Sequence, residues 1–444
     1  MNENTLHDLI GVGFGPSNLA LAIALEEQVP NTDSLKALFL DRQENYQWHG
    51  NTLVSQSELQ ISFLKDLVSL RNPESQYSFV NYLHKHQRLV DFINLGTLYP
   101  CRMEFNDYLR WVAGHFKQWC RYGEAVQRIE PVLHGGTVEH LNVISRNADG
   151  VEYRRETRAL VVSAGGTPKF PAVFEGLRHD SRVFHHAEYL SRLKKIGMTP
   201  ATSLRVAIIG SGQSAAEAFI DLNDCHPGVR ADLIFRGSAL KPSDSTPFVN
   251  EIFAPDFTDL IFRQEPAERA RIIREYHNTN YSVVDADLIE RIYRIFYRQK
   301  VENKARHTYR RLMQVQSARA DEAGIWLDLQ DMSDGQMQRE CYDLVILATG
   351  YERKSHRQLL APLEQYLGDF EVDRRYRIQT DGRCKPAIYM QGFCEATHGL
   401  SDTLLSVLPF RASEIAASLR EHFDNETPLY KRVEMAPRTI GVHA

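Results

Sequence analysis

The chain has 444 residues, of which 43% are apolar and 25% charged, and its formal net charge is −5. This length predicts two or three domains around a sizeable core. The near-balanced charge excludes the basic footprint of a nucleic-acid binder and the polybasic patch of a membrane-surface protein.

From the N-terminus, MNENTLHD lacks a basic stretch ahead of an apolar core and cleavage site, so no signal peptide is expected. HDLIGV then reads as a buried strand. It runs into Gly11, Gly13 and Gly15, then Pro16 and Ser17, and an apolar helix. A phosphate approaches backbone N–H groups closely only where no Cβ intervenes, and a helix N-terminus adds free donors and partial positive charge. The turn is a variant of the GxGxxG dinucleotide fingerprint, because Pro16 stands where the last glycine would fall. Pro16 fits if it opens the helix, where its missing N–H is not needed. The next strand, ALFLD, ends in Asp41, an acid suited to a ribose hydroxyl, although it follows Gly11 by about 30 residues rather than about 20.

Two later runs, ALVVSAGGTPKFP at 159–171 and DLVILATGYERK at 343–354, read as buried strands entering glycine turns. Between them the opening pattern repeats. LRVAII leads into Gly210, Ser211, Gly212, Gln213, Ser214 and Ala215, a direct GxGxxA match, followed by a helix and the strand ADLIF. That strand is followed by Arg236 rather than an acid. A guanidinium grips a ribose 2′-phosphate and a carboxylate repels it, so the second nucleotide is predicted to be NADPH. Two dinucleotide units in one chain imply electron transfer between two cofactors, a tightly held flavin dinucleotide (FAD) and NADPH.

The expected fold class is therefore α/β, with two Rossmann-like dinucleotide-binding domains, the second inserted in the first, plus a small, mainly helical substrate-binding region. The FAD-binding domain is read as 1–165 and 340–444, the NADPH-binding domain as 166–339, and the helical region as 245–310. The six cysteines, Cys101, Cys120, Cys225, Cys341, Cys384 and Cys394, form no CxxC pair and no zinc spacing. They read as reduced thiols of a cytoplasmic protein. No apolar run approaches the roughly 20 residues of a membrane helix.

GVGFGPSNLALAIAL, QWHGNTLVSQSELQISFLKDLVSLRNP, GSGQSAAE, PFVNEIF, HNTNYS, LATGY and HGLSDTLLSVLP together resemble the siderophore N-hydroxylating flavin monooxygenases, over nearly the whole chain. Within that family the chain looks most like the L-ornithine N5-monooxygenases of pyoverdine-producing bacteria. Lysine N6-hydroxylases and diamine N-monooxygenases share the general pattern. The resemblance implies that NADPH reduces FAD and that the reduced flavin captures dioxygen as a hydroperoxide. The neutral side-chain amine of L-ornithine then takes the distal oxygen, giving N5-hydroxyornithine for a hydroxamate siderophore. It implies no metal, no nucleic acid and no integral membrane segment, and either a monomer or a homo-oligomer such as a tetramer.

The resemblance also implies residue roles. Trp48, His49 and Gln60 contact FAD, with Gln60 also shaping the site where oxygen reacts. Val126 offers a backbone contact on the adenine side of FAD. Thr403, Leu404 and Leu405 open a helix aimed at the flavin. Gln213 and Ser214 belong to the NADPH turn, and Arg236 takes the 2′-phosphate. Lys65 pairs with the ornithine carboxylate as a point charge; composition alone would make it a surface residue. Asn250, Glu251, Asn280 and Ser406 complete the substrate site, and Asn280 also touches the nicotinamide ribose. An amide supplies donors and an acceptor to an amino-acid head group without adding charge. No side chain is expected as catalytic acid or base, because the flavin carries the chemistry. Asp180 stands where the Baeyer–Villiger signature has histidine, and no reactive cysteine pair lies near the first turn. Both departures argue against the neighbouring flavoenzyme classes.

Overall fold

The computed structural model describes residues 5–28 and 35–426. Strands β1 (His7–Val12) and β2 (Ala37–Asp41) form where the apolar runs predicted, and β2 is buried along its whole length. They pair in parallel, with Gly11 opposite Phe39. The sheet extends on one side to β3 (Cys120–Tyr122) and on the other to β6 (Glu152–Val162), beyond which Ala387–Met390 adds a further parallel strand. The N-terminal half of β6 continues instead into an antiparallel meander with β4 (Glu124–His134) and β5 (Thr137–Asn147). Strands covered on both faces read as continuous apolar runs, which is why this sheet was visible in the sequence.

The helix Pro16–Gln28 is buried from Asn18 to Leu25 without a polar stripe. It lies between the sheet and the C-terminal helix Leu408–Glu426, and Gln28 Nε2 donates to Ser413 Oγ at 2.9 Å. A helix apolar all round is one covered on all sides.

The second unit repeats this plan. Parallel strands β7 (Val183–His185), β8 (Arg205–Ile209), β9 (Arg230–Ile234), β10 (Thr308–Arg310) and β11 (Leu344–Leu347) lie in the order β10-β9-β8-β11-β7. A three-stranded antiparallel meander, Met313–Ala320, Ile325–Asp331 and Met337–Tyr342, accompanies them. One boundary is corrected. The sequence reading puts residues from 340 onward in the first domain, but β11 lies inside the second sheet, with Val345 opposite Ala207 of β8 and Val183 of β7. A short apolar run identifies a buried strand without saying which sheet receives it; only the pairing decides. The second unit therefore runs to about residue 350.

The chain crosses between units twice, side by side. Thr167–Pro168 pairs antiparallel with Tyr351–Glu352. The Gly350 carbonyl accepts from Lys169 N at 2.9 Å and His185 Nε2 at 3.0 Å, so Gly350 sits at the crossover. Most of the expected helical stretch 245–310 is helical, with helices Pro247–Asn250, Pro255–Phe262, Pro266–Tyr276 and Ala286–Val301, but its end is corrected: Thr308–Arg310 is strand β10 of the second sheet. Three of them begin with proline, which is pre-set for the first helical position. The middle two pack against Glu395–His398 of the first unit, and the last packs against Gln213–Cys225 of the second. This region thus spans the junction. Among the described residues no helix is long and apolar enough to cross a membrane.

Candidate active site

The first glycine turn leaves β1 and enters the helix Pro16–Gln28, of which Pro16 is the first residue. Gly13 has φ +84°, and a Cβ there would meet the Ser163 carbonyl oxygen at 2.6 Å. Glycine is therefore required both by conformation and by the close approach of β6. At Gly11 a Cβ would strike the Phe39 ring. At Gly15 there is nothing within 4 Å of where a Cβ would stand, so the helix N-terminus opens onto free space. That cradle fits a dinucleotide pyrophosphate.

Asp41 is buried, and its two oxygens accept from Phe14 N at 2.7 Å and Gln43 N at 2.8 Å. It clamps the turn to the end of β2; any ribose contact would use its remaining lone pairs. Asn18 supports the turn from inside, donating to the Gly13 carbonyl at 2.6 Å. Ser17 Oγ accepts from Arg411 Nη2 at 2.9 Å. Arg411 forms a fully buried ion pair with Asp402 (Nη1–Oδ1 2.8 Å), and Asp402 Oδ2 accepts from Cys394 N at 2.7 Å. This pair ties the first turn to the segment Thr403–Ser406.

The second turn leaves β8. Gly210 has φ +148°, and a Cβ there would lie 2.3 Å from the Ala348 carbonyl oxygen. Gly212 is the N-cap of the helix Gln213–Cys225, and Ser211, Gln213 and Ser214 remain partly accessible around it. Arg236 follows β9 by two residues, is exposed, and has no ion-pair partner among the described residues. Its guanidinium is free for a phosphate.

Trp48 packs edge-on against Phe105, with ring centroids 5.7 Å apart, and its backbone N–H donates to Asn106 Oδ1 at 2.8 Å. It fills core space and fixes His49, which adopts left-handed backbone at φ 55°. His49 keeps an accessible face, yet surrounding protein and then the Arg102 and Arg353 charges lower its pKa to about 4. It is a neutral ring at neutral pH. Val126 lies on β4 beside a bulge, half-buried against the first core. Gln60 is exposed and donates from Nε2 to Asp285 Oδ1 at 2.8 Å.

Three of the expected substrate segments converge. The turn Glu251–Phe253 packs against Leu400–Thr403, leaving Asn250 partly accessible, with its Nδ2 donating to the Ser245 carbonyl at 2.9 Å, and Glu251 exposed. Tyr281, next to Asn280, contacts Thr403 Oγ1 at 3.3 Å and donates to Glu395 Oε2 at 2.5 Å. Burial first, then the Glu395 charge, push the Tyr281 phenol up to about 12. The segment Thr403–Ser406 differs from expectation in form. It comprises two short 3-10 turns, Leu400–Thr403 and Leu405–Val407, joined at an extended Leu404, and the regular helix starts only at Leu408. Ser406 is buried, and its hydroxyl has no hydrogen-bond partner among the described residues. An unsatisfied buried hydroxyl costs about 1–3 kcal/mol, which a ligand accepting or donating there would recover.

Lys65 lies five residues beyond Gln60, half-buried and without an ion pair among the described residues. Burial lowers its pKa.

Two glycine turns on two sheets built around parallel strands, with a junction where Gln60 meets Asp285 and Tyr281 meets Thr403, make a scaffold suited to two dinucleotides. The chain belongs to the L-lysine 6-monooxygenase/L-ornithine 5-monooxygenase family, whose model matches residues 5–353. It is 67% identical over 439 residues to the L-ornithine N(5)-monooxygenase of Pseudomonas aeruginosa, covering 99% of this chain and 97% of the relative. The solved ornithine hydroxylase from that organism superposes with a TM-score of 0.91 at 66% identity, over 94% of this chain and 100% of that one. The ornithine N-hydroxylase of Kutzneria sp. 744, solved with reduced FAD, NADP+ and L-ornithine, superposes with a TM-score of 0.87 at 35% identity, over 94% of this chain and 99% of that one.

Proposed function

We propose that this protein is an FAD- and NADPH-dependent monooxygenase that converts L-ornithine to N5-hydroxyornithine. The balance is one ornithine, one dioxygen, one NADPH and one proton giving the hydroxylamine, NADP+ and water. One N–O bond forms, and the second oxygen atom leaves as water. The observation that carries this reading is the pair of glycine turns opening on one junction. The likeness to ornithine enzymes over nearly the whole chain supports the substrate assignment.

Bound FAD, reduced by NADPH, supplies dioxygen activation and oxygen transfer. The unit built on β1 and β6 holds FAD through Gly11, Gly13, Gly15 and the N-terminus of Pro16–Gln28. The unit built on β8 holds NADPH through Gly210–Ser214, with Arg236 on the 2′-phosphate. The protein's own work is to place and discharge the amine. Lys65 Nζ takes the ornithine carboxylate, and the Asn250 and Asn280 amides and the Ser406 hydroxyl hold the head group. A side-chain amine drawn into a desolvated site favours its neutral form, the form that attacks oxygen. All six cysteines are free thiols, which supports a cytoplasmic setting, and the product is the precursor of an iron-chelating hydroxamate.

Anaerobic mixing of the FAD-loaded protein with NADPH tests the redox half of this reading. Bleaching of the flavin band is expected; a flavin that stays oxidised contradicts it.

A further inference from the structure

Asp285 stands at the N-cap of the helix Ala286–Val301, the usual place for an aspartate, but its side chain makes no capping bond. It reaches across the junction instead. Oδ1 accepts from Gln60 Nε2 of the first unit at 2.8 Å, and Oδ2 accepts from Gln213 Nε2 of the second at 2.9 Å. The Asp285 backbone N–H donates to Gln213 Oε1 at 3.0 Å. The Gln213 amide is thereby held at both ends and cannot flip.

The connections continue into a ring. Gln213 Nε2 also donates to Glu217 Oε1 at 2.9 Å, one helical turn along. Glu217 is buried, and both its oxygens are taken by Arg102, Nη1 to Oε2 at 2.9 Å and Nη2 to Oε1 at 2.8 Å. Arg102 Nε donates to the Glu58 carbonyl at 3.0 Å, two residues before Gln60. The ring Gln60–Asp285–Gln213–Glu217–Arg102–Glu58 therefore crosses the junction twice, and it closes on the first helical turn after the second glycine loop.

We propose that Asp285, together with the Glu217–Arg102 pair, is a positioning cluster that fixes the second glycine turn against the wall carrying Gln60, and so sets how NADPH is presented to the flavin. The proposal rests on the functional reading above for the identity of the nucleotide. Apolar packing would hold two units together without orienting either. Five side chains in fixed hydrogen-bond geometry specify one register of the turn against the wall. A capping bond is forgone to complete it.

The test compares wild type with Asp285→Ala and Asp285→Asn, all FAD-loaded. Hydrogen exchange at residues 210–217 is read without nucleotide, and NADP+ affinity is then read by titration. With FAD content unchanged, Asp285→Ala is expected to speed exchange and to weaken NADP+ binding by about 3- to 10-fold each, the worth of one or two net hydrogen bonds. Asp285→Asn keeps an acceptor for Gln213 while the exposed Gln60 amide is free to turn, so it should recover part of both losses. Wild-type exchange together with wild-type NADP+ affinity in Asp285→Ala overturns the proposal. If that variant does not hold FAD, Gln60→Ala, altered at an exposed side chain, takes its place, and unchanged exchange at 210–217 then overturns it. Because exchange is measured without nucleotide, a wild-type protein that binds no NADP+ would refute the functional reading while the cluster is still judged by exchange.

Discussion

Asp66 lies beside Lys65 in the chain but leaves it without a counter-ion. Its carboxylate accepts from Val68 N at 2.9 Å and Ser69 N at 2.6 Å through Oδ1, and from Ser69 Oγ and Phe79 N at 2.7 Å each through Oδ2. With four donors satisfied inside the loop, this acid has no lone pair aimed at its neighbour. Lys65 is left half-buried and unpaired among the described residues, poised for an incoming carboxylate.

Lys65→Ala is therefore expected to retain FAD and its reduction by NADPH while losing ornithine. A charge-assisted hydrogen bond is worth about 1.5–3 kcal/mol, or roughly 10- to 150-fold in the ornithine KM. Steady-state kinetics with ornithine as the varied substrate checks this, and an unchanged KM removes the carboxylate role.

Arg236 also has no ion-pair partner among the described residues. Arg236→Ala should raise the KM for NADPH and leave that for NADH nearly as it is, narrowing the preference by about tenfold or more, since a bidentate guanidinium–phosphate contact is lost. Initial rates with both nucleotides measure it. Full preference retained would place the 2′-phosphate elsewhere.

The two glycine turns were legible because a phosphate cradle is a local signal: a buried strand, glycines and a helix start lie adjacent in the chain. Pro16 at the first helical position was legible for the same reason. What escaped was non-local. Strand Leu344–Leu347 looks the same whichever sheet it joins, so only its pairing shows that the second unit runs past the expected boundary at 340 to about residue 350. Asp285 and Arg411 belong to no local motif. The partners that give Asp285 and Arg411 their roles lie far away in sequence, Gln60 for Asp285 and Ser17 for Arg411. No spacing rule brings such residues together.

Removing one member of the buried Asp402–Arg411 pair leaves the other charge stranded, which costs about 3–5 kcal/mol. Arg411→Leu is expected to lower the urea midpoint accordingly. It should also weaken FAD retention, since Arg411 Nη2 holds Ser17 Oγ. A variant with wild-type midpoint and flavin content would show that the pair does not brace the first turn.

Stability should fall on mild acidification. Burial holds the pKa of His186 at about 3 and those of His307, His356 and His398 at about 4. His307 illustrates the cause, since its Nδ1 accepts from Ala231 N at 3.0 Å and cannot do so once protonated. These folded values lie below the unfolded value of about 6.5, so the unfolded chain binds more protons across the interval between them. The native state is fully favoured above pH ~6.5 and loses up to about 2 kcal/mol per histidine by pH ~5. Urea midpoints at pH 7 and pH 5.5 should differ; a flat profile would contradict neutral buried rings.

Oxygen transfer to the side-chain amine of ornithine is tested most directly by detecting the product. The FAD-loaded protein is supplied with NADPH, air and either L-ornithine or L-lysine, and hydroxylamine and hydrogen peroxide are both quantified. The account expects N5-hydroxyornithine in near-equal amount to NADPH consumed. It expects lysine, one methylene longer, to be disfavoured by about 1–3 kcal/mol. Peroxide alone with ornithine, or lysine hydroxylated as efficiently as ornithine, would contradict it.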